Sequence, residues 1–235
     1  MKISEIFHSI QGEGRLVGTP SVFIRTSVCN LRCSWCDTPY TSWNPEFTDL
    51  SLSSILEQTR QLASRNGDST THVVITGGEP FLHETELLEL CDRLAVHGFH
   101  ITVETNTTLF APVNAHLISM SPKLSNSTPP GAAGKSHEAQ RLNADVIKAF
   151  LTQYLPPTRD VQVKFVIDSE VDLAEVGELE KRIGIPKEKI LLMPQAREPD
   201  ELLIKSRLLA ELCRKTGYGF SPRLHIELFG SRRGV

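Results

Sequence analysis

The order of segments along the chain predicts an α/β fold, with a parallel sheet curled into a partial, open TIM-like (β/α) barrel. Three observations point there. Short apolar runs rich in β-branched residues recur along the 235 residues. Longer amphipathic segments separate them, as crossover connections between parallel strands require. About seven such runs fit in the chain, fewer than the eight of a closed barrel, which takes ~250 residues.

In chain order, residues 21–26 (SVFIRT) form the first expected strand. Residues 52–64 then read as a helix, opened by Asp49 or Ser51 as a cap. The strand 72–76 (HVVIT) leads into a helix over 84–97, which lines up Leu87, Leu88, Cys91 and Leu94 and ends at Gly98. Strands follow at 100–104 (HITVE) and 116–120 (HLISM). Residues 124–135 (LSNSTPPGAAGK) are rich in Pro, Gly and Ser and read as a surface excursion in preference to a lid. Beyond it come a helix at 136–154, a strand at 161–167 (VQVKFVI), a helix at 173–183, a strand at 190–193 (ILLM), a helix at 199–216 and a strand at 223–227 (RLHIE). The near-continuous apolarity of these strands suits burial in a parallel sheet. In such folds the chemistry gathers beyond the C-terminal strand ends. No domain linker is apparent, so residues 1–235 are expected to form a single domain.

The hydrophobic content is 40% and the net charge −3. A nucleic-acid binder held by phosphate contacts would show a basic face, and the Arg232-Arg233 pair is too small to supply one. No apolar run approaches the ~20 residues of a membrane span, and the N-terminus lacks the apolar stretch of a signal peptide. A cytoplasmic location is expected, where thiols stay reduced. Five cysteines are an odd number, and a disulfide framework is not expected.

Three of those cysteines, Cys29, Cys33 and Cys36, form a C-x3-C-x2-C run. Thiolates select zinc, copper(I) or iron–sulfur clusters. A structural zinc site wants four closed ligands, which here would need a distant residue such as His8 or His225. Three thiolates on one loop suit a 4Fe–4S cluster with one iron left open to a small molecule. Burial as ordinary core residues fits poorly with the polar neighbours Asn30, Arg32, Ser34 and Asp37. A second motif, Gly77-Gly78-Glu79-Pro80, follows the strand 72–76. Its glycines would let the backbone approach a ligand closely, and Glu79 would accept from an ammonium.

The cysteine run, with Trp35 before its last member, together with the Gly-Gly-Glu-Pro segment, resembles the radical S-adenosylmethionine superfamily. Further segments resemble the 7-carboxy-7-deazaguanine synthase family: residues 9–14 (SIQGEG), Phe23-Ile24-Arg25, Cys36-Asp37-Thr38, Ile75-Thr76, Glu104-Thr105, Ser121-Pro122-Lys123, and His225 with the closing Arg-Gly-Val. The resemblance implies a radical S-adenosylmethionine type of partial barrel and a carbon–nitrogen lyase. In this family 6-carboxy-5,6,7,8-tetrahydropterin becomes 7-carboxy-7-deazaguanine with loss of ammonia, a step towards queuosine. The reduced cluster cleaves S-adenosylmethionine to a 5′-deoxyadenosyl radical that takes hydrogen from the pterin.

By position the resemblance gives the 4Fe–4S cluster to Cys29, Cys33 and Cys36, and Mg2+ to Thr38. S-Adenosylmethionine falls to Trp35, Gly77, Gly78, Glu79, Ser121, Pro122, Lys123, Met193, Pro194, Gln195 and Ala196. Substrate contacts fall to Ile10, Gln11, Gly12, Glu13, Arg25, Thr76, His225 and Val235. No protein base or radical is assigned. The resemblance also implies a homodimer and a flavodoxin- or ferredoxin-type electron donor, with no nucleic-acid or membrane partner. Two positions depart from the family pattern. Thr107 replaces a glycine, so a different backbone turn is expected there, and Met193-Pro194-Gln195-Ala196 replaces a Q-P pair. Cys91 and Cys213 are read as core residues. The rival readings are another radical enzyme, such as a glycyl-radical activating enzyme, and a non-catalytic zinc or iron–sulfur module.

Overall fold

The computed structural model describes residues 1–64 and 70–235. Among these described residues there are nine strands and eight α-helices, and the strands form one sheet: β1 (Lys2–Ile10), β2 (Pro20–Thr26), β3 (Thr48–Asp49), β4 (His72–Gly77), β5 (His100–Thr105), β6 (Leu117–Met120), β7 (Asp160–Ile167), β8 (Ile190–Pro194) and β9 (Gly219–Phe220). Their spatial order is β3-β1-β2-β4-β5-β6-β7-β8-β9. From β2 to β9 every pair is parallel, whereas β1 runs antiparallel to β2 and β3 antiparallel to β1. The sheet does not close, since β3 and β9 are its two edges. This is the open partial barrel the sequence predicts, enlarged at one edge by the β1–β2 hairpin.

Eight α-helices accompany it: α1 (Pro39–Ser42), α2 (Leu52–Ala63), α3 (Glu84–Val96), α4 (Ala132–Gln140), α5 (Ala144–Gln153), α6 (Asp172–Ile183), α7 (Pro199–Thr216) and α8 (Leu224–Phe229). Ser51 caps α2 by accepting from Ser54 N. One face of the sheet supplies Ile24, Ile75, Val103, Met120, Val163 and Leu192 to the hydrophobic core, where Leu87, Leu94, Phe150, Val176 and Leu212 of the helices meet them. Burying such side chains stabilises by about 1.5–3 kcal/mol each. Cys91 and Cys213 lie in this core as expected. Alternate residues point to the other face, where Arg25, Thr76, Glu104, Ser119 and Lys164 line one cavity beside buried apolar neighbours such as Phe23, Val74 and Met193. The expected burial of these strands holds: β4, β6, β7 and β8 are buried at almost every position.

Four expectations change. The strand expected at 223–227 is instead the helix α8. Pairing with β8 ends where Ser221 N donates to Leu192 O, and Pro222 cannot extend a ladder. Leu224 N turns away to Gly12 O at 2.9 Å. The helix expected at 136–154 is two, because Asn143 breaks it and caps α5 by accepting from Val146 N. Residues 124–135 hold a short 3-10 turn at Ser125–Ser127 and the start of α4, with Leu124 and Ser127 fully buried. Finally, Thr107 adopts φ 64, the left-handed region that favours glycine, so the turn keeps a glycine-type backbone with a threonine in it.

Candidate active site

A cavity of about 750 Å³ opens on the polar face of the sheet, and all three loop cysteines, Cys29, Cys33 and Cys36, line it. The loop between β2 and α1 has no regular structure, so side chains hold it. Donors point at its sulfurs. Leu31 N lies 3.4 Å from Cys29 Sγ, Asn106 Nδ2 3.7 Å from the same atom, and Ser42 Oγ 3.3 Å from Cys36 Sγ. Burial pushes the Cys29 thiol up to about 11 and the Cys33 thiol up to about 12, so thiolates form here only beside added positive charge. Three soft donors with N–H and O–H groups on the sulfur suit an iron–sulfur cluster.

The zinc alternative finds no gathered donor set. His8 is bonded to Thr70 at 2.9 Å and His225 stands 4.0 Å from Glu13. Among the described residues no three His, Cys, Asp or Glu side chains are gathered as a single ion requires.

Gly77 and Gly78 line the cavity too, but their compactness serves the protein's own backbone. A Cβ on Gly77 would stand 2.1 Å from Thr26 O, and one on Gly78 2.0 Å from Val28 O. Gly78 N and Glu79 N donate to those same carbonyls. Sequence reasoning expected Glu79 to face an ammonium. It is instead fully buried and outside the cavity lining. Its carboxylate accepts from Thr105 Oγ1 at 2.9 Å, Phe81 N at 3.2 Å and Asn106 N at 2.7 Å. Burial pushes it up to about 7 against these donors. Glu79 braces β4 against the end of β5.

The same cavity holds a charged row. Lys164 is 3% exposed and donates to Glu13 at 2.7 Å, with Glu104 at 3.5 Å. Glu104 also accepts from Thr76 Oγ1 at 2.7 Å and Gln11 Nε2 at 3.3 Å. Burial alone would raise the Glu13 carboxyl, yet Lys164, Arg223 and His225 outweigh it and hold it below the usual range. Arg223 is equally buried; it donates to Asp37 and to Ala196 O, and its Nε stands 3.5 Å from Glu13. Burial lowers His225 despite Glu13 beside it. The ring crowds Gly12 so closely that a Cβ there would stand 2.1 Å from Nδ1.

Arg25 Nε donates to Glu5 at 2.6 Å, a carboxylate it shares with Tyr40. Thr38 Oγ1 receives Thr41 Oγ1 at 3.2 Å.

Of the residues expected to bind S-adenosylmethionine, Trp35, Ser121, Lys123 and Met193 line the cavity, with Lys123 Nζ 2.8 Å from Ser121 Oγ. Pro122, Pro194, Gln195 and Ala196 do not line it. Gln195 accepts from Lys205 and Ala196 O from Arg223. Ile10, Gln11, Gly12, Glu13 and Val235 do line it. Sequence reasoning missed Lys164, Arg223 and the role of Glu104. The signal for Lys164 was present as a lone lysine inside the apolar run VQVKFVI.

The profile of the radical SAM superfamily matches residues 23–121. A 7-carboxy-7-deazaguanine synthase of Halobacterium salinarum is 39% identical over 97% of this chain and 90% of its own. That of Rhodopirellula baltica is 41% identical over 99% of this chain and 88% of its own. The chain belongs to the 7-carboxy-7-deazaguanine synthase family. A crystal structure of QueE from Escherichia coli superposes on it with a TM-score of 0.63 at 27% identity, covering 95% of this chain and 94% of that one. These matches bear out both resemblances: that of the cysteine run and Gly-Gly-Glu-Pro to the superfamily, and that of the further segments to the synthase family.

Proposed function

We propose that this chain is a carbon–nitrogen lyase that converts 6-carboxy-5,6,7,8-tetrahydropterin to 7-carboxy-7-deazaguanine with loss of ammonia. One observation carries the reading: three thiols line the same cavity as a Gln, two carboxylates and a lysine. Bound there, a 4Fe–4S cluster with S-adenosylmethionine supplies the one-electron chemistry that begins hydrogen abstraction.

The chain's own residues bind, orient and exclude water. Cys29, Cys33 and Cys36 would hold the cluster. Trp35, Ser121, Lys123 and Met193, which line the same cavity, would contact S-adenosylmethionine. Gln11 and Glu104 offer an amide and an acceptor pair to the donor–acceptor edge of a pterin. Thr38 offers Mg2+ a hard oxygen, the donor type that ion prefers. Arg25 offers a fork to the substrate carboxylate, and His225 with Val235 would close over the ring.

Residues 1–235 act in this reading as one radical core domain, with short family-specific ends. The single sheet and its shared core support that. The reading also takes a flavodoxin- or ferredoxin-type reductant, a homodimer and a cytoplasmic setting, the last favoured by five free cysteines. Among the described residues no helix is long and apolar enough to cross a membrane.

Anaerobically reconstituted protein, given carboxytetrahydropterin, S-adenosylmethionine, Mg2+ and a reductant, is expected to form a product with deazapurine ultraviolet absorbance. Cleavage of S-adenosylmethionine without that product contradicts the substrate and favours another radical enzyme.

A further inference from the structure

The segment 124–141 has no part in the chemistry above, yet it grips the cysteine loop at three points. Ser34 N donates to Ser127 O at 2.9 Å, Trp35 Nε1 to Asn126 O at 3.0 Å, and Arg32 N to His137 Nδ1 at 3.1 Å. The segment is itself pinned. Asn126 Nδ2 donates to Val166 O at 3.0 Å and Asp172 at 2.9 Å, while Arg141 holds Glu138 and Glu175, both at 2.7 Å. Gly134 packs so tightly on Pro129 that a Cβ would stand 2.2 Å from its carbonyl oxygen. A sequence rich in Pro, Gly and Ser thus builds a fixed wall.

His137 is the centre of that wall. It is 2% exposed, and both ring nitrogens are used. Nδ1 accepts the Arg32 amide proton, which leaves Nε2 as the protonated nitrogen facing Ser127 Oγ at 2.9 Å. The Ser127 hydroxyl donates onward to Leu124 O at 2.6 Å. Donors and acceptors along this line match in one tautomer only. The amide it fixes lies between Cys29 and Cys33, in a loop with no ladder or helix to set its path.

We propose that His137, relayed through Ser127, is a positioning residue that sets the peptide between Cys29 and Cys33 and thereby the spacing of the sulfurs offered to the cluster. This inference rests on the cluster reading above.

The test compares wild type, His137→Ala, His137→Asn and Ser127→Ala after anaerobic reconstitution. The readouts are iron and sulfide per chain, bleaching of the visible cluster band in air, and thermal unfolding of each cluster-free chain. His137→Ala is expected to bleach about tenfold faster, the factor that corresponds to one lost buried hydrogen bond. Ser127→Ala should bleach several-fold faster. His137→Asn, whose Oδ1 can still accept from Arg32 N, should recover most of the lifetime.

Wild-type bleaching in a folded His137→Ala chain overturns the proposal, as does an Asn variant no better than Ala. Should His137→Ala fail to fold, the Asn and Ser127 variants decide. A wild-type chain that takes up no iron would instead count against the cluster reading itself.

Discussion

Lys164 Nζ lies 2.7 Å from the Glu13 carboxylate although 151 residues separate the two. The pair joins the hairpin loop after β1 to the middle of β7, and Glu104 completes the triad from β5. Against its burial, Lys164 with Arg223 and His225 holds the Glu13 carboxyl below its usual range beside the cavity.

Lys164→Met removes, among the described residues, the only cation bonded to both carboxylates. Breaking a buried pair by removing one partner costs about 3–5 kcal/mol. Urea unfolding of the cluster-free chain should show a loss of that size, and turnover should show a raised KM for the pterin. A stability within ~0.5 kcal/mol of wild type contradicts the assignment.

Two glycines should respond differently to alanine. At Gly78 the new Cβ meets Val28 O at 2.0 Å, which is backbone and cannot step aside. At Gly12 it meets the His225 ring at 2.1 Å, which can partly swing. Overpacking typically costs about 1–3 kcal/mol, more where nothing yields. Gly78→Ala should therefore lower thermal stability and iron content together, while Gly12→Ala should chiefly raise the pterin KM. The reverse ranking of stability losses would speak against this geometry.

Arg25 divides its guanidinium between Glu5, through Nε at 2.6 Å, and the cavity it lines. A lysine cannot serve both at once. Arg25→Lys is expected to raise the pterin KM by about tenfold or more, the equivalent of ~1.4 kcal/mol, with kcat less affected. Thr38→Val should abolish stimulation by Mg2+ and spare the iron content. Unchanged Mg2+ stimulation would remove Thr38 from the ligand set.

Three histidines form a row at the opposite ends of the strands. His72 and His100 rings lie 5.0 Å apart, and His100 and His116 4.7 Å. Burial, then His100 and His116, lower His72 from 6.5 to about 4. Between these values the unfolded chain binds more protons than the folded one. Stability therefore rises with pH across the window and is lost as pH falls from 6.5 to about 4. The loss should be about 3 kcal/mol. His72→Gln, with nothing to titrate, should flatten the slope of unfolding free energy against pH, and an identical slope would refute this account.

The parallel sheet was legible because apolar periodicity reports the core face, and Ile24, Ile75, Val103 and Val163 all lie there. The edge strands were not. β1 alternates only weakly, with most of its residues half-buried, and β9 has two residues. The thiol wall could be read from spacing, since its ligands are neighbours in sequence. Lys164 left a trace as a lone lysine in an apolar run, but its meeting with Glu13 and Glu104, and that of Arg223 with Glu13, could not be read, because these residues come together only through strand register and long-range folding. The segment 124–135 misled for a physical reason. Gly and Pro mark a break in regular structure, and here the broken backbone is what lets Ser127 and Asn126 turn their carbonyls to the cysteine loop.

The most direct test of the whole account is the electron paramagnetic resonance spectrum of the dithionite-reduced, reconstituted protein, recorded with and without S-adenosylmethionine. A cluster held by Cys29, Cys33 and Cys36 alone should change its signal when the cofactor is added, because one iron is open to it. An identical spectrum in both samples would contradict the account.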